Sequence, residues 1–155
     1  MVLSLGALPQ RVLIAGTGSI GRRHIGNLRR LLPGARYALL RADGRRDALS
    51  AELDAEVVTD NAAALAWAPT LAVVATPSDR HAELLLPLLR AAVAAVVEKP
   101  VVIAAADAAA LQQLAAGELP ATQVGCVLRF LPSLGRLKAW LDQGRLGTVV
   151  RASFE

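Results

Sequence analysis

The sequence has few aromatic residues, a single cysteine and no long apolar run. Phe, Trp and Tyr make up 3% of its 155 residues, so a core has to be built from Ala, Val and Leu, which suits closely packed strands and helices. The lone Cys126 excludes a disulfide within the chain and fits a reducing, cytoplasmic location. The apolar residues 1–10 lack a basic segment and a cleavage site, and they are too short to span a bilayer. We expect them to form a disordered leader or an extension of the first strand.

The net charge of the chain is small, and arginine supplies almost all of its positive charge. The net charge is +4, but the arginines are scattered and no aromatic residues are interleaved with them, which argues against a nucleic-acid partner. The length allows one α/β domain with a substantial core and is small for an enzyme of two domains. We therefore expect neither a nucleic acid nor a membrane as a partner.

The most informative segment is the run RVLIAGTGSIGRRH at residues 11–24. Val12–Ala15 is an apolar run typical of a buried parallel strand. It is followed by the spacing G-x-G-x-x-G and then by a helical pattern. At such a junction the first glycine permits a sharp turn, the second lets a pyrophosphate approach the backbone, and the third lets the helix pack closely. The helix also offers free N–H groups to the phosphates.

This segment predicts a dinucleotide site, and the alternative is a glycine-rich turn that binds nothing. We assign cofactor binding to the residues of the loop, which are Gly16, Thr17, Gly18, Ser19, Ile20 and Gly21.

The rest of the chain alternates between short apolar runs and helical patterns. Further strands are predicted at residues 36–41, 56–59, 71–75, 94–98, 122–127 and 148–154, and further helices at 61–67, 80–92, 104–116 and 133–143. A loop with a short helical turn is predicted over residues 42–54. Asp60 is a predicted N-cap, and Pro87 is expected to distort its helix. Strands that alternate with helices indicate a doubly wound parallel sheet, a Rossmann-type α/β fold.

The end of the second strand decides between the two nicotinamide cofactors in this fold. An acid there binds the free ribose hydroxyl of NAD, whereas an arginine accommodates the additional phosphate of NADP. The position falls on or near Arg41, followed by Arg45 and Arg46, with Asp43 as the only acid in reach. This pattern favours NADP over NAD, and the alternative is a solvated, charged loop.

Further stretches carry a resemblance to a known family. They are A-T-P-S-D-R-H at residues 75–81, Glu-Lys-Pro at 98–100, V-G-C-V-L-R-F-L-P at 124–132 and G-R-L-G at 144–147. In this order, after the glycine-rich segment, they resemble the N-terminal half of the glucose–fructose oxidoreductase/inositol dehydrogenase (Gfo/Idh/MocA) family. The resemblance runs from about Arg11 to the C-terminus. It implies an NAD(P)-dependent oxidoreductase that transfers hydride between a nicotinamide and a hydroxyl or carbonyl of a sugar or cyclitol.

The resemblance also implies roles for residues that follow the fourth and fifth strands. Thr76 and Pro77 are expected to line the cofactor, and Glu98 is expected under the nicotinamide ribose. Lys99, one of two lysines in the chain, is expected to assist proton transfer. The alternative for Lys99 is an ordinary lysine at the end of a strand.

Four other residues have two interpretations or no assigned role. His81 is expected to reach the cofactor pocket, or else to be a capping or surface histidine. Arg129 corresponds to a position near the boundary between cofactor and substrate, or else it is structural. Cys126 is expected to be a buried, inert thiol. His24 is expected to pack or to be solvated, and no role is assigned to it.

The resemblance also predicts the domain organisation. Residues 1–132 would form the dinucleotide-binding domain, and residues 133–155 would form a crossover helix and the first strand of a substrate domain that is otherwise absent. We expect the 155-residue chain alone to be inactive and a homo-oligomer to be possible. No metal site is predicted. A non-catalytic dinucleotide-binding module or sensor is the alternative function, because it needs the same residues around the cofactor.

Overall fold

The computed structural model describes residues 11–153, so the prediction for residues 1–10 lies outside the described part. Six parallel strands form one sheet in the order β3-β2-β1-β4-β5-β6. This order confirms the predicted Rossmann-type fold. The strands are β1 Arg11–Ala15, β2 Arg36–Leu40, β3 Glu56–Val58, β4 Leu71–Val74, β5 Ala94–Val97 and β6 Thr122–Val124.

Helices connect the strands. They are α1 Ser19–Leu31, α2 Ala48–Glu52, α3 Asn61–Ala66, α4 His81–Arg90, α5 Ala105–Ala115 and α6 Pro132–Asp142, with 3-10 turns at Ser78–Arg80 and Val127–Phe130. The predicted elements agree with these bounds to within a few residues at each end, apart from the last predicted strand.

The central strand β1 explains the apolar run at the start of the chain. Side chains of a strand alternate between its two faces. Leu13 and Ala15 lie in the core on one side of the sheet, together with the leucines of α4. Val12 and Ile14 lie in the core on the other side, together with Ile25 of α1. Because helices cover both faces, every position from 12 to 15 is buried, and the strand reads as a continuous apolar run.

Two helices begin at aspartates that cap them. Asp60 accepts a hydrogen bond from the backbone N–H of Ala63 at 2.7 Å, as predicted for the start of α3. Asp47 accepts from Ser50 N at 3.0 Å, and the Ser50 hydroxyl lies 2.8 Å from Asp47 N, so the two residues form a capping box. The short helical turn predicted within residues 42–54 is therefore α2.

Pro87 lies inside α4 and does not end the helix. Proline has no N–H, so the carbonyl four residues earlier, that of Glu83, loses its helical donor. The side chain of Asn61, at the start of α3, donates to this carbonyl at 2.9 Å. The carbonyl released by the proline is thus satisfied by a neighbouring helix.

The chain divides after Gly125 into two compact units, earlier than the predicted boundary after residue 132. The second unit contains the turn Val127–Phe130 and α6, and many of its large apolar side chains are exposed. The strand predicted at 148–154 is wrong over residues 148–153, which adopt no strand. A strand needs a neighbouring backbone to pair with, and within residues 11–153 no segment pairs with them.

Candidate functional site

The glycine-rich loop after β1 has a geometry that only glycine permits at two positions. Gly16 has φ +94°, and a Cβ there would lie 2.2 Å from the carbonyl oxygen of Ala75. A Cβ on Gly21 would lie 1.9 Å from the carbonyl oxygen of Gly16. Gly16 therefore turns the chain out of β1 against the end of β4, and Gly21 brings α1 against that turn, in the roles expected from the sequence.

Gly18 differs from these two glycines. Among the described residues no atom lies within 4 Å of a Cβ built on Gly18. Gly18 is also the N-cap of α1 and provides no side-chain capping bond, and the first turn of α1 contains no acidic residue. The fold does not require glycine at this position, and residues 18–20 are exposed, so the first N–H groups of the helix have no partner within it and no capping side chain. An anionic ligand that approaches the backbone closely would require the glycine.

Arg22 continues this positive region on the first turn of α1. Its Nε donates to the carbonyl oxygen of Thr17 at 3.2 Å. The guanidinium therefore lies beside the glycine-rich loop, where it adds to the positive end of the helix dipole.

The groove at the end of β2 contains the residues that are expected to determine whether NAD or NADP binds. It is lined by Thr17, Arg41, Ala42, Asp43, Arg45 and Asp47. The Arg41 side chain is 11% exposed and donates to Asp47 Oδ2 at 3.0 Å and to the Arg45 carbonyl oxygen at 2.9 Å. Residues 42–46 of the loop are exposed, so the alternative of a solvated, charged loop stays open, although the Arg41 side chain itself is held by Asp47.

The partnership between Arg41 and Asp47 has an electrostatic consequence. The hydrogen bond from Arg41, assisted by that from the Ser50 N–H, lowers the pKa of Asp47 to about 2. The side chain of Arg45 makes no hydrogen bond or ion pair within residues 11–153. One arginine of the groove is thus held by a carboxylate, and the next has its guanidinium available.

Thr76, after β4, carries a buried polar atom without a partner. No hydrogen bond to its Oγ1 is formed in the described part of the chain. Thr76 also lines a pocket between the ends of β2, β3 and β4. A buried hydroxyl without a partner costs free energy, so a ligand that supplied one would be stabilised there. The pocket also contains Thr59, Asp60 and Asn61, for which no binding role was predicted from the sequence.

His81, the first residue of α4, is 1% exposed. Its Nδ1 lies 2.8 Å from the carbonyl oxygen of Pro100, and its Nε2 lies 2.9 Å from that of Thr76. The alternative of a surface histidine is therefore wrong. A contact between either ring nitrogen and a cofactor would require one of these hydrogen bonds to break.

Glu98, after β5, has a partner that sequence reasoning missed. His24 Nε2 of α1 lies 2.8 Å from Glu98 Oε1. The same carboxylate lies over Gly125, since a Cβ there would be 2.8 Å from Oε1 and 3.0 Å from Oε2. The two partners are 74 residues apart in the chain, and no local pattern marks such a pair. Lys99 follows and is exposed at the carboxyl edge of the sheet.

Arg129 and Cys126 lie in the second unit. Arg129 is part of the turn Val127–Phe130, and its backbone N–H donates to the Cys126 carbonyl oxygen at 3.0 Å. Cys126 is half-buried. The predicted proximity of Arg129 to the cofactor stays a prediction.

Within residues 11–153, no group of three or more His, Cys, Asp or Glu side chains is arranged to hold a metal ion. None of the helices described is long and apolar enough to cross a membrane.

The strand order, the turn at Gly16 and the open helix N-terminus define a Rossmann-type dinucleotide-binding domain. A family model described as the oxidoreductase family with the NAD-binding Rossmann fold (GFO_IDH_MocA) matches residues 10–125. The chain belongs to this family, which confirms the resemblance seen in the sequence.

Relatives and solved structures agree with this assignment. Inositol 2-dehydrogenase 2 of Saccharopolyspora erythraea is 35% identical over 141 residues, and the match covers 86% of this chain and 41% of the relative. Inositol 2-dehydrogenase of Streptomyces avermitilis is 34% identical, with 88% and 41% covered. The structure of myo-inositol dehydrogenase from Lactobacillus casei with NAD(H) and myo-inositol is 26% identical, with 88% and 42% covered and a TM-score of 0.77.

A more distant structure shares the fold. The WlbA dehydrogenase from Bordetella pertussis, in complex with NADH and UDP-GlcNAcA, is 23% identical with a TM-score of 0.75 over 90% of this chain and 44% of that one. This chain spans about two fifths of the length of the curated relatives that it matches.

Proposed function

We propose that this chain is the cofactor-binding part of an NAD(P)-dependent oxidoreductase acting on a sugar or cyclitol, with Lys99 as the proton-transferring residue. The observation that carries the proposal is the position of three loops. The glycine-rich loop, the Thr76 loop and the Glu98–Pro100 segment follow β1, β4 and β5, which are neighbours in the sheet. Ligands of this fold bind outside the carboxyl ends of such strands.

The residues of the loops fit a dinucleotide. The N–H groups at the start of α1 and the space over Gly18 suit a pyrophosphate. The unpartnered Oγ1 of Thr76 suits a polar group of the ligand. Glu98 is proposed to bind the nicotinamide ribose, since Oε1 is held by His24 and Oε2 has no protein hydrogen bond among residues 11–153.

The proposed cofactor is a nicotinamide dinucleotide, with NADP(H) preferred over NAD(H). The support for this preference is the pair Arg41 and Arg45 in the groove at the end of β2, since arginine binds phosphate through a fork of N–H donors. Asp47 offsets part of the charge of Arg41. The cysteine content supports a cytoplasmic location, which we propose as well.

Lys99 is proposed to move a proton at the substrate oxygen. Its amine can take the hydroxyl proton during oxidation, and its ammonium can return the proton to the carbonyl oxygen during reduction. A bound nicotinamide supplies the hydride chemistry. Since relatives are more than twice as long as this chain, we propose that a further domain completes the substrate site.

The test compares the two lysines of the chain. Lys99→Met keeps the aliphatic stem and removes the charge. In the longest protein that contains this chain, turnover should fall by a factor of about 100–10,000, as for the loss of a general acid–base group. Binding of NADH and NADPH should change by less than about 1 kcal/mol, because the phosphates are bound at other loops.

Lys138→Met is the matched control. Lys138 is exposed and pairs with Asp142 at 2.6 Å, so its replacement should leave both turnover and binding unchanged. Full turnover of the Lys99→Met protein would assign proton transfer to another residue. Cofactor binding without turnover of any sugar or cyclitol by the parent would favour the non-catalytic module.

A further inference from the structure

The segment that carries Lys99 is held on both sides of the lysine by histidine. The chain has two histidines. His24 bonds to the side chain of Glu98, directly before the lysine, and His81 bonds to the carbonyl oxygen of Pro100, directly after it. The two histidines belong to different helices, α1 and α4, which start at two different loops of the cofactor site.

The link through His24 fixes the Glu98 carboxylate in a narrow space. The imidazole lies on one side of the carboxylate at 2.8 Å, and the Cα of Gly125 lies on another, with no room for a methyl group. The two side chains are 23% and 16% exposed, so water competes weakly for this bond. The residue before Lys99 is therefore fixed relative to both α1 and the end of β6.

The link through His81 joins two backbone segments. Carbonyl oxygens only accept hydrogen bonds, so the ring is the donor, through one nitrogen when neutral and through both as the imidazolium. The ring is buried, and it spans the distance between the Thr76 loop and Pro100. The residue after Lys99 is thus connected to a loop that is expected to line the cofactor.

We propose that His24 and His81 are positioning residues for Lys99. A lysine side chain has a long, flexible stem, so its amine has a defined place only if the backbone that carries it is fixed. Displacement of a reacting group by about 1 Å can cost about 100-fold in rate. This inference rests on the proposed function for the identity of the reacting group, but the fixation of the segment can be measured without cofactor or substrate.

The chain is well suited to the measurement because it contains two lysines. A protein labelled with ¹⁵N-lysine shows two backbone amide signals, from Lys99 and Lys138. In the parent the order parameter of the Lys99 amide should be that of rigid backbone, about 0.85. In His24→Leu and in His81→Leu it should fall towards the value of a flexible loop, below about 0.6. His24→Gln keeps an N–H donor for Glu98 and should restore the parent value.

Matched controls separate positioning from general stability. Arg23→Leu changes the residue before His24, which is exposed and makes no hydrogen bond or ion pair in the part of the chain described. Leu84→Ala weakens α4 by removing a side chain that is 2% exposed, without touching the bonds of His81. In both controls the Lys99 amide should stay rigid, and the Lys138 amide should be unchanged in every folded variant.

The outcomes separate this inference from the proposed function. A mobile Lys99 amide in the parent, an unchanged order parameter in His24→Leu, or equal loosening in Leu84→Ala would overturn it. If His81→Leu does not fold, His81→Gln takes its place, since its amide NH2 can donate to one of the two carbonyl oxygens while its own carbonyl oxygen cannot donate to the other, and it should give an intermediate order parameter. Binding of NADH and NADPH by the parent is measured by calorimetry on the same samples. If the parent bound neither NADH nor NADPH, the proposed function would be contradicted, and the order parameters would still decide whether the two histidines position Lys99.

Discussion

The three glycines of the loop after β1 should respond to substitution in two distinct ways. A side chain at Gly16 or Gly21 meets backbone atoms at 2.2 Å and 1.9 Å, whereas a side chain at Gly18 meets no described atom within 4 Å. Gly18 also has φ −66° and ψ −169°, an extended conformation at the edge of the β region that does not require glycine. Gly18→Val should therefore preserve the fold and weaken dinucleotide binding, while Gly16→Ala should destabilise the fold itself.

The magnitudes follow from these environments. In Gly18→Val, the loss of glycine at an N-cap costs at most about 1 kcal/mol of folding stability. Displacing a phosphate from one or two N–H donors costs about 1.5–3 kcal/mol, because hydrogen bonds to charged groups are of this size, and this corresponds to about 10- to 150-fold in Kd. In Gly16→Ala, the positive φ alone costs about 1–3 kcal/mol, before the contact with the Ala75 carbonyl is counted.

The assay is calorimetric titration with NADH and NADPH, with urea unfolding of the same samples. Gly26→Val is the matched control, since Gly26 lies on the same helix in open space and valine there should change neither measurement by more than about 0.5 kcal/mol. Parental affinity in Gly18→Val would refute the assignment of the pyrophosphate to this loop. A large loss of stability in the same variant would show that glycine is needed there by the fold.

Three further predictions concern the edge of the site. Gly125→Ala should cost about 1 kcal/mol in urea unfolding, because its methyl group would displace the Glu98 carboxylate, the end of a flexible side chain, from its bond with His24; Gly34→Ala, in open space, should stay within about 0.5 kcal/mol, and equal effects would contradict the packing of the carboxylate. Arg41→Asp should weaken NADPH binding relative to NADH by about 1.5–3 kcal/mol; the ratio of the two affinities cancels effects on folding, and an unchanged ratio would exclude Arg41 from the phosphate site. Because the pKa of Asp47 is lowered from 3.8 to about 2, its carboxylate stabilises the fold fully above pH about 4 and progressively less as the pH falls towards 2. The difference in urea midpoint between the parent and Asp47→Asn should shrink over that range, and a constant difference would argue against this ion pair.

The sheet could be predicted because its signals are local. The buried run of β1, the glycines after it and the alternation of strands and helices are each contained in a short window. Asp60 could be predicted as a cap for the same reason. The strand expected at 148–154 shows the limit of such patterns, since apolar residues favour a strand only where a neighbouring strand accepts their hydrogen bonds.

The side-chain contacts within the site could not be predicted from the sequence. The hydrogen bonds of His24 with Glu98 and of His81 with Pro100 join residues that are distant in the chain. The local sequence around a histidine in a predicted helix does not indicate whether its side chain has such a partner. The partnership of Arg41 and Asp47 spans six residues, but it depends on the path of the loop after β2. Motifs located the edge of the sheet at which the site lies, and tertiary packing determined which side chains meet there.

The hydrogen bond from Asn61 to the Glu83 carbonyl has an evolutionary consequence. The bond is useful because Pro87 leaves that carbonyl without its helical donor. Loss of Asn61 should cost about 0.5–1.5 kcal/mol with proline at position 87, and less in a Pro87→Ala background, where the helix itself supplies the donor. The two positions are therefore epistatic. In a diverging lineage, the proline can be lost first and the asparagine afterwards at little cost, whereas the reverse order passes through a less stable intermediate.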